Sequence, residues 1–234
     1  MRIRPQSTAA AALVAALCLT ASAAWAAGGG AMPPGGGMSM GSAPMNPEQQ
    51  AKVLFNDGVK HVEKADKKDE SAATLTDPKK RDRALKDAKS DYTTALGKFV
   101  QVLKINGRMP EAWNYLGYTS RKLGNYDDAL KAYSNALLLR PGYPEAIEYR
   151  GEALLAVNKV ADAEQSYLDL FAANRALANK LLEAMKSWIA TQRSAATADN
   201  AGTVDDLDKW VQERTQIAGQ TASLTREGTA ESWH

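Results

Sequence analysis

The chain has 234 residues, 24% of them charged and 44% hydrophobic, with 29 Lys and Arg against 27 Asp and Glu and a single cysteine. That balance suits one soluble domain of moderate core with room for unstructured ends. It excludes a disulfide scaffold, and a formal charge of only +2 argues against non-specific binding to nucleic acid or anionic membrane.

Residues 1–26 have the three-part layout of a secretory signal peptide: Arg2 and Arg4, an apolar run from Ala9 to Leu19, and small residues around Ala24-Trp25-Ala26. The run is too short to span a bilayer comfortably. Cleavage after Ala26 and export are expected, and the alanine-rich signal points to a bacterial periplasm, with secretion as the other destination. Cleavage would remove Cys18 and both arginines, taking the formal charge from +2 to 0 (2 minus 2). No later segment is long and apolar enough to cross a membrane.

Residues 27–47, "AGGGAMPPGGGMSMGSAPMNP", form a Gly/Pro-rich leader that cannot bury enough surface to offset its ordering entropy. Met32, Met38, Met40 and Met45 offer soft thioether ligands suited to Cu(I). With no histidine or cysteine beside them, a plain linker with incidental methionines is preferred; Cu(I) handling through the leader stands as the alternative function.

From Glu48 onward the chain reads as helix. Ala51, Phe55, Gly58, Val62 and Ala65 share one helix face, and Leu85, Ala88, Tyr92, Ala95, Phe99 and Val102 share another. Between them Asp77-Pro78 supplies an N-cap followed by proline at the first helical position. The matched stripes predict a long antiparallel hairpin with "KKDESAATLTDP" at its tip, and pairing of this hairpin between copies is a route to a homo-oligomer. Lys79, Lys80, Arg81, Arg83 and Lys86 near the tip are interrupted by Asp82 and Asp87 and by no aromatic, which favours solvated helix face over a nucleic-acid patch.

The segment "WNYLGYTSRKLGNYDDALKAYSNALLLRP" carries Trp113, Leu116 and Gly117, then Ala129, Tyr133, Ala136 and finally Pro141. This pattern resembles the tetratricopeptide repeat, a helical hairpin of about 34 residues. Pro110-Glu111-Ala112 and Pro144-Glu145-Ala146 restart the unit at that period. Small Gly117 and Ala129 allow close approach of two helices, Trp113 and Leu116 fill the seam, Gly124-Asn125 makes the turn, and Pro141 ends the second helix. Gly151, Ala163 and Tyr167 repeat the offsets downstream, although Ile147 and Arg150 replace the tryptophan and leucine. Upstream, 55–58 and 92–102 match a repeat stretched by the long tip. The expected fold is all-α, a stack of tetratricopeptide-type hairpins over 48–192, with repeats at about 48–109, 110–143 and 144–174.

Leu177, Leu181, Leu182, Met185, Trp188 and Ile189 share one face of a further helix, expected to cap the last repeat. Residues 193–234 read as a shorter helix from Thr203, with Val204, Leu207, Trp210 and Val211 on one face, followed by an unstructured "TASLTREGTAESWH". The sequence leaves open whether that helix docks.

The resemblance implies that the first helix of each repeat lines a concave face that binds a segment of another protein. Helical geometry places Asn114, Tyr118 and Arg121 there from the central repeat, Glu145, Glu148 and Glu152 from the next, and Lys52, Phe55 and Val59 from the first. Family members that grip an acidic tail use cations and asparagines; the glutamates here would repel one, so a ligand with Lys or Arg near one end and apolar side chains near the other fits better. Plain solvated helix surface is the competing reading. Histidine occurs only at His61 and His234, and no nucleophile triad, metal-ligand spacing or phosphate loop is present. The sequence therefore points to a non-enzymatic adaptor or scaffold with no cofactor, whose partner is a protein or peptide segment.

Overall fold

The computed structural model describes residues 45–195 and 201–228. The expected signal segment, most of the leader with Met32, Met38 and Met40, and the C-terminal end from 229 lie outside them. The described residues form eight helices: α1 Pro47–Thr74, α2 Pro78–Ile105, α3 Pro110–Lys122, α4 Tyr126–Leu139, α5 Pro144–Ala156, α6 Val160–Ala173, α7 Arg175–Ala195 and α8 Ala201–Gly228. Among the described residues there is no strand. Successive helices pair as antiparallel hairpins, and the hairpins stack in chain order as a tetratricopeptide-type all-α repeat fold.

Proline and capping chemistry set the helix starts. Asn46 begins α1 with a reciprocal capping box to Gln49, and the Asp77 carboxylate accepts from the Lys79 and Lys80 amides ahead of α2. Proline occupies the first turn of α1, α2, α3 and α5, where its missing N–H breaks no helical bond. Gly124 (φ 84°) makes the α3–α4 turn, and Asn158 (φ 59°), one full repeat later, makes the equivalent α5–α6 turn. The expected tip is mostly helical. With no glycine or proline before Pro78, α1 continues to Thr74 and the connection shrinks to 75–77.

The second helices share one buried pattern. Ala95, Ala129 and Ala163, then Phe99, Tyr133 and Tyr167, then Val102, Ala136 and Leu170, are all 0% exposed, each trio spaced at the repeat period. Opposite them a small residue is obligatory. A Cβ on Gly117 would lie 2.5 Å from Tyr133 Cε1, and one on Gly58 would lie 2.8 Å from Phe99 Cζ. Gly151 serves the next interface instead: its Cβ would meet Leu181 of α7 at 2.6 Å. Trp113 is half-buried against this seam and donates its indole N–H to the Gly107 carbonyl at 2.9 Å.

The first hairpin buries the two stripes against each other, with Val62, Ala65, Ala88, Tyr92, Ala95 and Phe99 in one cluster. The apolar surface suited to pairing between copies is thus used within the hairpin. At the other end, α7 packs on both α5 and α6, and α8 packs on α7. Val204, Leu207 and Val211 are buried, and Trp210 meets Tyr167 edge-on at 5.2 Å. The last helix therefore docks, and α7 with α8 makes a fourth hairpin whose outer member closes the stack. It is also longer than expected: the first part of "TASLTREGTAESWH" is helical to Gly228, since no helix breaker intervenes before that glycine.

Candidate functional site

The first helices of the hairpins, α1, α3, α5 and α7, lie side by side, and their polar side chains meet across the seams. Asp66 of α1 accepts from the Tyr92 hydroxyl at 2.5 Å and the Tyr118 hydroxyl at 2.7 Å. Asp69, one turn on, pairs with Lys122 of α3 at 2.6 Å. Arg121 of α3 pairs with Glu152 of α5, and Lys180 of α7 approaches the two Glu148 oxygens at 3.2 and 3.3 Å. Tyr118 packs on Tyr149 at 5.0 Å between ring centroids. The Arg121 guanidinium lies 5.3 and 5.5 Å from those two rings, and the Lys180 ammonium lies 5.0 Å from Tyr149. A continuous stripe of aromatic rings and paired charges thus runs from α1 to α7.

The pairs are poorly hydrated. Arg121 and Glu152 side chains are 16% and 15% exposed, and Glu148 is 0% exposed. Burial pushes the Glu148 carboxyl up to about 9; its hydrogen-bonded neighbour Glu152 adds to this, and Lys180 and Arg121 oppose it. Burial acts on Glu152 in the same direction, but Arg121 and the Glu148 hydrogen bond hold it below the ordinary carboxylate range. The two carboxyl groups, one helical turn apart on α5, behave as a proton-sharing pair. Burial first, then Asp66, pushes the Tyr118 hydroxyl far above its ordinary value, so it remains a donor.

The six residues expected to face a partner are therefore not equivalent. Tyr118, Arg121, Glu148 and Glu152 are brought together but already engaged: Arg121 with Glu152, Tyr118 with Asp66 and Glu148 with Lys180. Asn114 is 4% exposed, and its side-chain oxygen has no hydrogen-bond partner. Glu145 is exposed and, among the described residues, has no ion pair. From the first repeat Lys52 is exposed, whereas Phe55 and Val59 belong to the apolar seam, Phe55 meeting Phe99 and Tyr115 edge-on. The sequence reading missed Asp66, Asp69, Lys122, Tyr149 and Lys180. Their signal lies in the stagger: the spacing from Tyr118 to Tyr149, like that from Arg121 to Glu152, falls nearly one helical turn short of the repeat period.

Near Asn114 lies a second group. Tyr115 stacks on Phe99 at 5.2 Å, and its hydroxyl is raised by burial, then by the carboxylates of Glu63, Asp66 and Glu145. Tyr143 is pushed up to about 12 by burial, then by Glu145 and Glu111, with Arg140 opposing. Glu111 is bound to Arg140, but Glu63, like Glu145, is exposed and has no ion pair among the described residues.

Elsewhere, His61 shares Asp91 with Lys68, at 2.8 and 2.5 Å, and clips α1 to α2. Among the described residues no three His, Cys, Asp or Glu side chains converge as a metal site, and no helix is long and apolar enough to cross a membrane. Met45, the one leader methionine described, is 56% exposed.

Residues 110–143 match the tetratricopeptide repeat family. Among solved structures, the chain is similar to the first tetratricopeptide domain of Spaghetti (RPAP3) bound to an HSP90 peptide. Identity is 18% over 59% of this chain and 93% of that one, with a TM-score of 0.44. It is also similar to the second such domain of human RPAP3 in complex with an HSP70 peptide, at 18% identity, 59% and 98% coverage and a TM-score of 0.44. The TPR2B domain of yeast Sti1, in a complex with pHsp70, is 13% identical over 71% of this chain and 98% of that one, with a TM-score of 0.37.

Proposed function

We propose that this protein is a non-enzymatic adaptor that binds a segment of a partner protein across the face formed by α1, α3, α5 and α7. The observation that carries the reading is the stripe itself. Its charges and rings are fixed to one another across four helices, which gives a preformed surface with little side-chain entropy left to lose on binding. Within it, the repeat that matches the tetratricopeptide family presents the unpartnered Asn114 beside the free carboxylate of Glu145. A single short segment on such a surface binds in the micromolar range, about −8 kcal/mol. We also propose export, with the periplasm as the working compartment; the charge, apolar run and small residues of 1–26 support it. N-terminal sequencing of the mature protein tests that part.

The partner surface is tested by site-specific photo-crosslinking in cells. A photoreactive residue in place of Glu145, on the inner face, is expected to trap a partner. The same residue in place of Leu138, 79% exposed on α4, is expected to trap none. Adducts only from position 138 would move the function to the outer helices.

A further inference from the structure

We infer that the N-terminal half of the α3–α5 face is a subsite for a cationic side chain, the Lys or Arg of a partner segment, received by Glu63 and Glu145 around Tyr115 and Tyr143. The inference rests on the adaptor reading and names the chemistry of its ligand. Its first support is an inventory of donors. Four cations near this face are already engaged: Arg121 holds Glu152, Lys122 holds Asp69 and Arg140 holds Glu111, while Lys180 bonds the Glu148 carboxyl and lies against the Tyr149 ring. Glu63 and Glu145 are left with no ion pair among the described residues, yet both act on the hydroxyl of one residue, Tyr115. The register that sets Tyr118 on Asp66 places Tyr115, one turn earlier, beside Glu63, and the stagger of α3 against α5 places Asn114 beside Glu145.

The second support is independent of the acidic side chains. Asn114 is 4% exposed, and its side-chain oxygen is buried without a donor. Its position follows from the stagger of α3 against α5. Tyr118 meets Tyr149 and Arg121 meets Glu152 at one and the same sequence offset, so one turn earlier Asn114 faces Glu145. A buried polar group without a partner is costly, and a bond from a ligand would satisfy it. Three acceptors thus lack donors, and a guanidinium or ammonium supplies several at once. The Tyr115 ring adds a face on which a cation is favoured, while the Tyr143 ring already carries the Arg140 guanidinium at 4.7 Å. An anionic ligand meets the same groups as repulsion, which fixes the sign of the partner.

The test uses the mature full chain and two small probes, acetyl-Leu-Arg-amide and acetyl-Leu-Glu-amide, followed by NMR of the Asn114 side-chain amide and the Tyr115 and Tyr143 rings. The arginine probe is expected to shift these resonances saturably in the millimolar range, more weakly as salt is raised. The glutamate probe is expected to leave them in place. The exposed double variant Glu63→Gln plus Glu145→Gln should abolish the response without altering the fold, as read from the remaining spectrum. An unchanged response in the double variant overturns the assignment. Shifts by the glutamate probe alone overturn the cation and leave the adaptor reading standing. Silence from both probes, with a crosslinked partner still trapped at position 145, overturns the subsite while the adaptor reading survives.

Discussion

Replacing Glu148 by glutamine isolates the proton held in the middle of the stripe. The carboxyl is 0% exposed and pushed up to about 9 from an ordinary 4.5, so between those values the folded chain binds a proton that the unfolded chain has lost. Stability from this group is therefore complete below 4.5, falls as pH rises, and is gone by about 9. The slope for one such proton is about 1.4 kcal/mol per pH unit. From pH 6 to pH 8 the wild-type chain should lose on the order of 2–3 kcal/mol by this route, or on the order of 5–10 °C in melting temperature for a domain of this size. Glu152, held low, acts in the opposite sense and only as pH falls through the carboxylate range, so it does not enter this window. Glutamine has the shape and donor of the protonated carboxyl and no proton to lose. Urea unfolding of both chains at pH 6, 7 and 8, followed by circular dichroism, should show the wild-type curve falling relative to that of Glu148→Gln. Other titrating groups cancel in the comparison. Parallel curves would refute the shared proton and mean that Glu148 is ionised against Lys180 throughout.

Three further outcomes follow from the packing. Gly117→Ala places a methyl 2.5 Å from a ring that is 0% exposed, and should cost about 1–3 kcal/mol by urea denaturation. Gly151→Ala should cost less, because the Leu181 chain end can turn aside; equal losses would mean that the Tyr133 ring moves freely. Tyr118→Phe removes a bond to the Asp66 carboxylate and should cost about 1.5–3 kcal/mol. Adding Tyr92→Phe should be non-additive, because both hydroxyls share that carboxylate; strict additivity in the double-mutant cycle would contradict the shared acceptor. Leu207→Ala should cost about 2–5 kcal/mol if α8 closes the stack, whereas Arg193→Ala, which breaks exposed pairs to Asp205 and Asp208, should cost far less.

The parts of the fold that were legible in the sequence are those set by sterics at a fixed period. Gly117 opposite Tyr133, Ala129 beside it and the turn at Gly124 each admit few residue types, so the hairpin shows in the sequence. Helix ends without a breaker do not show: the extension of α1 to Thr74 and of α8 to Gly228 depends on packing and propensity summed over many weak positions. The site was legible in position but not in state. Asn114, Tyr118, Arg121, Glu145, Glu148 and Glu152 all belong to α3 and α5, yet Arg121 and Glu152 hold each other, Tyr118 is bound to Asp66 and Glu148 to Lys180. A charged residue on a helix reads as solvated unless the register of the neighbouring helix is known. Here that register falls nearly one helical turn short of the repeat period, which brings Arg121 onto Glu152 rather than onto its repeat equivalent, Leu155.

That register has a consequence for recognition. A buried ion pair contributes little net stability over an apolar substitute, but losing one partner leaves an uncompensated charge at a cost of about 3–5 kcal/mol. The chain of Arg121, Glu152, Glu148 and Lys180 therefore resists rearrangement more than it stabilises, and it ties α3, α5 and α7 into one relative placement. A ligand drawing on any of these four groups would have to break a pair in a poorly hydrated setting. A ligand drawing on Glu63, Glu145 and Asn114 breaks nothing and fills acceptors that are otherwise empty. The paired middle thus fixes the geometry, and the proposed subsite lies where acceptors are left unpaired, in the N-terminal half of the α3–α5 seam.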